Sequence, residues 1–183
     1  MAVGFKYDDT PQATIKEVCR FDSVYRAESG ANLSQDYDGY LMPLDPLYID
    51  KAKGIAYPCI RAKVVDVASG VRVLRKGLLS VGMIVSNGTS GGAITSIKED
   101  DNGAIIEVEE ATFKIGDVIF QVKTATDKKP LYVANYANYA TTPAKENETL
   151  TYVLRAYQIR EDNLFTPHLD VDKEGLTSRF EYK

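Results

Sequence analysis

The chain has 183 residues, which suits one compact domain or two small ones. Its 44% hydrophobic and 26% charged residues argue against a disordered chain, a collagen or a coiled coil. One histidine, two cysteines and a net charge of −4 exclude a multi-histidine metal site, a zinc knuckle and an overall basic surface for duplex nucleic acid. We therefore expect a protein that is not an enzyme, with no catalytic residues, cofactor, metal or bound nucleic acid.

The first segment, residues 1–56, is polar and rich in tyrosine and aspartate, and it lacks the apolar stretch of a signal peptide. Turn-forming runs interrupt it at 27–32 and 35–40, and closely spaced prolines follow. We predict that residues 1–56 form an N-terminal arm or extended segment. Within this segment, residues 14–25 fit a strand better than a helix.

The second segment, residues 57–123, contains short β-branched apolar runs separated by turn signals about every ten residues. No run is long enough to cross a membrane, so we expect no membrane partner. Asn102-Gly103 between apolar runs predicts a β-hairpin. We predict a β domain with strands at 62–67, 71–74, 81–85, 94–97, 105–108 and 118–122.

The β domain contains an internal repeat. A shift of 34 residues lays 70–85 over 104–119 without a gap, so that Gly82 meets Gly116 and Val81 meets Ile115. Each copy reads as a hairpin turn, a strand and then apolar-x-apolar-Gly-x-apolar-apolar. We expect each unit to cover the apolar face of the other, and each glycine to lie where the chain bends into the next strand, a bend that a Cβ would hinder.

The third segment, residues 124–183, begins with a polar, tyrosine-containing connector at 124–143. Residues 149–159 alternate as a strand does, with a helix of similar span as the competing interpretation. We predict a C-terminal β or irregular segment that packs on the β domain. The fold class is then mainly β: a small barrel or sandwich built around a duplicated hairpin unit, with irregular N- and C-terminal flanks.

One stretch near the C-terminus, Asp170–Glu181, nearly fits a twelve-residue calcium loop. Oxygen-bearing side chains stand at its first, third and fifth places, Gly175 at the sixth and Glu181 at the twelfth. Thr177, however, occupies the eighth place, where a branched apolar residue is expected. We therefore favour an acidic surface turn over a calcium site.

The other candidate catalytic or ligand-binding residues are expected to have structural roles. His168 lies beside a proline and no Gly-x-Ser-x-Gly motif is present, which favours an exposed or packing role. Ser90-Gly91-Gly92 resembles a phosphate-binding loop, but no Lys-Ser/Thr follows, so we predict a strand connection. Cys19 and Cys59 are 40 positions apart and are expected to be buried thiols, with a long-range disulfide as the alternative.

The chain has 12 tyrosines, and most of them lie outside the repeat. Tyrosine buries a large area at low entropy cost and keeps a polar tip, which favours it at protein interfaces and in sugar sites. We predict that the two tyrosine-rich flanks are contact surfaces, with ordinary strand packing as the alternative. The tyrosines concerned are Tyr25, Tyr37, Tyr40, Tyr48, Tyr57, Tyr132, Tyr136, Tyr139, Tyr152, Tyr157 and Tyr182.

Three stretches between about residues 40 and 170 give the chain a family resemblance. They are Leu-Met-Pro-Leu-Asp-Pro-Leu-Tyr-Ile-Asp leading into Ala-Tyr-Pro-Cys-Ile-Arg-Ala-Lys-Val-Val-Asp; Val-Leu-Arg-Lys-Gly-Leu-Leu-Ser-Val-Gly-Met-Ile-Val with its echo Phe-Lys-Ile-Gly-Asp-Val-Ile-Phe; and Leu-Arg-Ala-Tyr-Gln-Ile-Arg-Glu-Asp-Asn-Leu-Phe-Thr-Pro. With these stretches the chain resembles capsid-decorating or head-fibre-type proteins of tailed phages and of prophages in gut bacteria.

The resemblance implies a small, β-rich, oligomeric and non-enzymatic protein, and it implies no particular functional residues. We expect a virion structural protein, made in the cytoplasm of the host bacterium, that decorates or projects from the capsid. Its partners would be itself, as a homo-oligomer, and the major capsid protein. The alternative is a β-barrel binding module that recognises a glycan or a peptide.

Overall fold

The computed structural model describes residues 18–19, 24–68 and 70–183, and it is mainly β, with 44% strand and 8% helix. The predicted fold class is therefore confirmed. The described strands are β1 (Tyr25–Leu33), β2 (Tyr40–Leu41), β3 (Pro46–Asp50), β4 (Ile55–Pro58), β5 (Arg61–Asp66), β6 (Val71–Val73), β7 (Ile84–Ser86), β8 (Gly91–Asp100), β9 (Gly103–Val108), β10 (Val118–Gln121), β11 (Tyr136–Asn138), β12 (Thr142–Pro143), β13 (Thr149–Ile159) and β14 (Phe180–Tyr182). One α-helix, α1 (Asp170–Leu176), lies between two 3-10 turns, Glu161–Asn163 and Thr177–Arg179.

The central third of the chain forms a closed six-stranded barrel. Its strand order is β10-β5-β6-β9-β8-β7, and every neighbouring pair is antiparallel. The hairpin predicted at Asn102-Gly103 joins β8 to β9, where Asp100 pairs with Gly103. Gly103 has a φ of +127°, which explains why this turn needs glycine.

The two halves of the barrel, β5–β7 and β8–β10, are related by a pseudo-two-fold axis. Exchanging the halves leaves the strand order of the barrel unchanged. Val71 pairs with Ile106 and Arg72 with Ile105, and the 34-residue shift converts one pair into the other. Ser86 pairs with Phe120, and the same shift maps this pair onto itself. The sequence repeat is thus a structural repeat.

The symmetry also includes the first strand of each half, which the 34-residue alignment does not reach. The 34-residue shift relates Ile84 to Val118. Ala93 of β8 pairs with Ile84, and Lys63 of β5 pairs with Val118, so Lys63 and Ala93 are equivalent. These equivalent residues are 30 positions apart, because the β8–β9 hairpin is longer than the β5–β6 hairpin.

Gly82 and Gly116 occupy matching turns just before β7 and β10. Their φ angles are +88° and +93°, but a Cβ at either position would meet nothing within 4 Å. The turns therefore require glycine for its backbone conformation, which confirms that a Cβ would hinder these bends, although no neighbouring atom would clash with it. The preceding residues, Val81 and Ile115, are 62% and 65% exposed at the tips of these turns.

A second sheet packs against the barrel, in the order β1-β4-β3-β11-β13-β14. Because β1 also pairs with β13, the first five of these strands close into a ring. The stretch from 149 to 159 is a strand, as predicted, and not a helix. Strands from residues 25–58 and 136–182 thus share one sheet, although the sequence predicts two separate flanks. Residues 1–17 and 20–23 of the predicted arm, and with them most of the strand expected at 14–25, lie outside the described residues.

The barrel and the sheet share one hydrophobic core. Its largest cluster joins residues of the sheet, such as Leu47 and Leu150, to residues of the barrel, such as Ile106 and Ile119. A second cluster packs α1 and β14 against β13. Among the described residues, no helix has the length and apolar character needed to cross a membrane.

Candidate functional site

Three tyrosines from distant parts of the chain stack on one face of the sheet. Tyr48 of β3 pairs across the strands with Tyr57 of β4, and Tyr132 lies against both. The ring centroids of Tyr57 and Tyr132 are 4.8 Å apart at 28°, and those of Tyr48 and Tyr132 are 5.8 Å apart at 13°. We call Tyr48, Tyr57 and Tyr132 the tyrosine stack.

Strand alternation places the tyrosine stack on the outer face. In β3, Leu47 and Ile49 point into the core, so Tyr48 between them points outward. The backbone of Tyr132 is fixed by the buried Arg61, because the Tyr132 carbonyl oxygen accepts a hydrogen bond of 2.6 Å from Arg61 Nη2. Aromatic pairs of this kind contribute about 0.5–1.5 kcal/mol beyond their buried area, which stabilises the stack.

Exposed apolar side chains extend the stack. Leu131 is 38% exposed, Val133 is 39% exposed and Tyr48 is 37% exposed, and the first two flank Tyr132 in the chain. Burial raises the pKa of the Tyr132 phenol, and its neighbours Tyr57 and Cys59 raise it further. The phenol therefore stays neutral near neutral pH, and the surface combines apolar area with uncharged polar tips.

A positively charged groove adjoins this apolar surface. It has a volume of about 370 Å³, and we call it the lysine groove; it is lined by Lys123, Asp127, Lys128, Lys129, Pro130 and Leu131. The Asp127 carboxylate interacts within its own loop, because it accepts a hydrogen bond of 2.8 Å from the Thr124 amide. Leu131 belongs both to the groove and to the apolar surface, so the two are continuous.

The other tyrosines of the flanks divide between surface and core. Tyr25 and Tyr40 are exposed, whereas Tyr37 and Tyr152 are buried, and the remaining described ones are half-buried. Strand packing thus accounts for some tyrosines. The assignment of the exposed ones to contact surfaces stays a prediction.

A buried ion pair between barrel and C-terminal helix is the main polar feature that the sequence reasoning missed. Arg61 Nε and Nη2 each lie 3.2 Å from a carboxylate oxygen of Asp172. The same carboxylate accepts hydrogen bonds from the amides of Ala134 and Leu169, at 2.9 Å and 3.1 Å. Only Arg61 gives a signal in the sequence, as a charge inside an apolar strand; nothing near Asp172 marks it as buried.

This ion pair overturns the predicted acidic surface turn at Asp170–Glu181. Residues 170–176 form α1, with Asp170 exposed and Asp172 fully buried against Arg61. The side chains that would ligate calcium therefore point in different directions. Among the described residues, no three His, Cys, Asp or Glu side chains come together as a metal site would require.

His168 is buried in a packing role. Its Nε2 lies 2.8 Å from the Leu44 carbonyl oxygen, which only accepts, so Nε2 donates and Nδ1 accepts from the Tyr182 hydroxyl at 2.5 Å. Burial lowers the pKa of His168, which keeps the ring neutral. A half-enclosed cavity of about 270 Å³ borders this histidine and carries side chains of both charges, including Lys63 and Glu161.

Asp45 is a buried carboxylate that directly follows Leu44, the hydrogen-bond partner of His168. Its Oδ2 accepts a hydrogen bond of 2.7 Å from the Met42 amide, while Oδ1 has no hydrogen-bond partner in the described part of the chain. Burial raises the pKa of Asp45 to about 7, against smaller opposite effects of Met42, Thr166 and Arg75. Asp45 is therefore an internal acid that titrates near neutral pH.

The candidate phosphate loop and the cysteines have structural roles. The Asn87 side-chain oxygen accepts hydrogen bonds from the amides of Thr89 and Ser90, so these amides of the β7–β8 loop are not available to a phosphate. Cys19 and Cys59 are buried in one hydrophobic cluster and form no disulfide with each other. Burial raises the pKa of the Cys59 thiol, which makes it a poor nucleophile.

Comparison with known proteins gave no matching family model, no matching curated protein and no matching solved structure. A functional proposal therefore rests on the surfaces of the molecule and on the resemblance of its sequence.

Proposed function

We propose that the protein is a non-enzymatic structural protein of a phage or prophage virion, which self-associates and decorates or projects from the capsid. The observation that carries the proposal is the tyrosine stack on the outer face of the sheet, with exposed Leu131 and Val133 beside it. The resemblance to phage head proteins supplies the class of partner, the major capsid protein.

The physical argument is that this surface is built for contact. Tyrosine has only two side-chain torsions, so it loses little entropy when a partner covers it, and its hydroxyl still finds a hydrogen bond. Here the rings are already ordered against each other, which lowers the cost of binding further. A protein that attaches to a capsid needs such a surface and no reacting group.

A co-sedimentation experiment tests the proposal. The chain is produced together with the major capsid protein encoded in the same phage or prophage, and assembled capsids are pelleted. We expect the chain in the pellet, and we expect Tyr48→Ala with Leu131→Ala to weaken its binding more than ten-fold. The exposed Tyr25→Ala on β1 serves as the matched control. A natural chain that stays in the supernatant would contradict the proposal.

A glycan- or peptide-binding module is the second candidate, favoured by the lysine groove next to exposed aromatic rings. Acidic sugars would suit lysines, and Tyr48 would offer a ring face for stacking. A glycan array with acidic and neutral sugars distinguishes the two candidates. Binding there, with no attachment to capsids, would favour this second function.

A further inference from the structure

The chain contains two Asn-Gly pairs, and they lie in two different turns. Asn87-Gly88 lies in the loop between β7 and β8, and Asn102-Gly103 lies at the tip of the β8–β9 hairpin. In such a pair, the backbone nitrogen of the glycine can attack the side-chain carbonyl carbon of the asparagine, because a glycine has no Cβ to crowd the five-membered ring that forms. The two pairs have the same reacting groups, so the fold sets the difference between them.

The fold fixes both reacting groups of the Asn87-Gly88 pair. The Asn87 Oδ1 atom accepts hydrogen bonds from two loop amides at 3.0 Å and 2.9 Å, and its Nδ2 atom donates to Asp117 Oδ2 at 2.7 Å. The attacking nitrogen, that of Gly88, donates to Ser86 Oγ at 3.0 Å. Ring closure here needs several of these hydrogen bonds to break together, so the fold protects this pair.

The Asn102 side chain has no such restraint. It is exposed, and it forms no hydrogen bond within the part of the chain that the structure describes. The Asn102 backbone amide donates to Asp100 Oδ1 at 2.8 Å. Gly103 belongs to the last pair of the hairpin, opposite Asp100, and such terminal pairs open more readily than the centre of a strand. The carboxamide of Asn102 can therefore rotate toward the Gly103 nitrogen.

We propose that Asn102 is a site of spontaneous deamidation and that Asn87 is protected from it. The Gly103 nitrogen loses its proton to base and bonds to the Asn102 Cγ atom. The Cγ–Nδ2 bond breaks, and the departing NH2 group takes up a proton and leaves as ammonia, so that a succinimide ring remains. Water then opens this ring at either carbonyl carbon. The net reaction converts an amide and water into a carboxylic acid and ammonia, without any oxidant or reductant.

The product changes the hairpin in two ways. It adds a negative charge beside Asp100 and Asp101, which are already exposed acids. When water opens the ring at the backbone carbonyl carbon, the main chain runs through the former side chain and gains one carbon atom between residues 102 and 103. This isoaspartyl linkage does not fit the pairing of Asp100 with Gly103. We therefore expect a modified chain to have a loosened β8–β9 hairpin.

Peptide mapping of the natural chain measures both sites in the same molecules. Trypsin releases Asn87 in peptide 77–98 and Asn102 in peptide 99–114, and neither peptide contains another asparagine. The folded chain is incubated in mildly alkaline buffer, and mass spectrometry follows the conversion of each amide to the acid. We expect Asn102 to react at least about ten-fold faster than Asn87, because only Asn87 must first open its local structure. In about 8 M urea, the matched control, both sites lose their surroundings and react at similar rates.

Two variants separate the effect of the fold from that of the sequence. Asp117→Ala removes the acceptor of Asn87 Nδ2, and we expect Asn87 to react several-fold faster while Asn102 is unchanged. Asn102→Gln lengthens the side chain, so that the corresponding ring has six members and forms slowly, and the acid no longer accumulates in peptide 99–114. Hydrogen exchange of aged and fresh natural chain measures the loosening of the hairpin.

The comparison within the natural chain needs no variant, so a variant that misfolds does not affect the result. Fast reaction at Asn102 alone in the folded chain, with similar rates in urea, supports the inference. Equal rates in the folded chain, faster reaction at Asn87, or a difference that persists in urea would overturn it. So would an Asn102 that reacts far more slowly in the folded chain than in urea, because the hairpin then protects it. The inference goes beyond the proposed function, and its test is independent of capsid binding.

Discussion

Replacing Asp172 by asparagine leaves the Arg61 guanidinium buried without its counter-charge. Each carboxylate oxygen of Asp172 accepts two hydrogen bonds, one from Arg61 and one from a backbone amide, of Ala134 or Leu169. The asparagine side chain has only one oxygen. Its NH2 group must therefore replace one of the two carboxylate oxygens. Whichever way the amide is turned, this NH2 group faces two donors, one from Arg61 and one from a backbone amide.

The expected loss of stability follows from the burial of this pair. The side chains of Arg61 and Asp172 are 1% and 0% exposed, so water does not replace the lost charge. Breaking such a pair from one side costs about 3–5 kcal/mol. A domain of this size then melts about 6–20 °C lower, at about 2–4 °C per kcal/mol.

Urea unfolding followed by circular dichroism measures the change in the free energy of unfolding, with Asp170→Asn on the exposed side of the same helix as control. The control is expected within about 0.5 kcal/mol of the natural chain. A loss for Asp172→Asn below about 1 kcal/mol, or equal to the control, would refute the reasoning. Arg61→Met combined with Asp172→Leu removes both charges but leaves the Ala134 and Leu169 amides and the Tyr132 carbonyl without these partners, so it should recover only part of the loss.

Three further predictions concern single substitutions at buried or half-buried positions. Asp45→Asn stabilises the protein by up to about 4 kcal/mol at about pH 8, and the gain disappears toward pH 4. Between the ordinary pKa of 3.8 and the folded pKa of about 7, the unfolded carboxyl ionises while the buried one stays protonated, so the natural chain loses stability over this range as the pH rises; urea unfolding at several pH values that gave a constant difference would contradict this. Gly92→Ala destabilises by more than the about 1 kcal/mol expected for Gly54→Ala, since only the former overlaps with a neighbouring carbonyl oxygen; equal urea midpoints would count against it. Tyr182→Phe leaves His168 Nδ1 buried without a donor and costs about 1–3 kcal/mol in thermal unfolding, and an unchanged melting temperature would rule out that hydrogen bond.

The barrel could be predicted from the sequence because its signals are local. Alternating apolar residues, Asn102-Gly103 and the 34-residue repeat each depend on neighbours in the chain, and each corresponds to a strand, a hairpin or a symmetry in the structure. The alignment misses β5 and β8 because the longer β8–β9 hairpin changes the offset to 30, which no gap-free comparison can follow.

The sheet and the tyrosine surface could not be predicted, because they depend on contacts between distant residues. β1 pairs with β13 across more than a hundred residues, and no local pattern in either strand specifies the other. The tyrosine excess did point to Tyr48 and Tyr132, but not to their stacking. The prediction of an acidic surface turn at Asp170–Glu181 was wrong because a sequence motif does not distinguish a surface aspartate from a buried one such as Asp172.

One pair of equivalent positions gives the two halves of the barrel different neighbours. Arg61 pairs with Phe120 just as Gly91 pairs with Ser86, so arginine and glycine stand at equivalent positions of the two halves. Arg61 fastens the C-terminal helix, and Gly91 admits the loop with the lysines. A barrel rebuilt from two copies of the first half would carry two arginines and a single Asp172 to pair with them. The two symmetric halves are therefore not interchangeable.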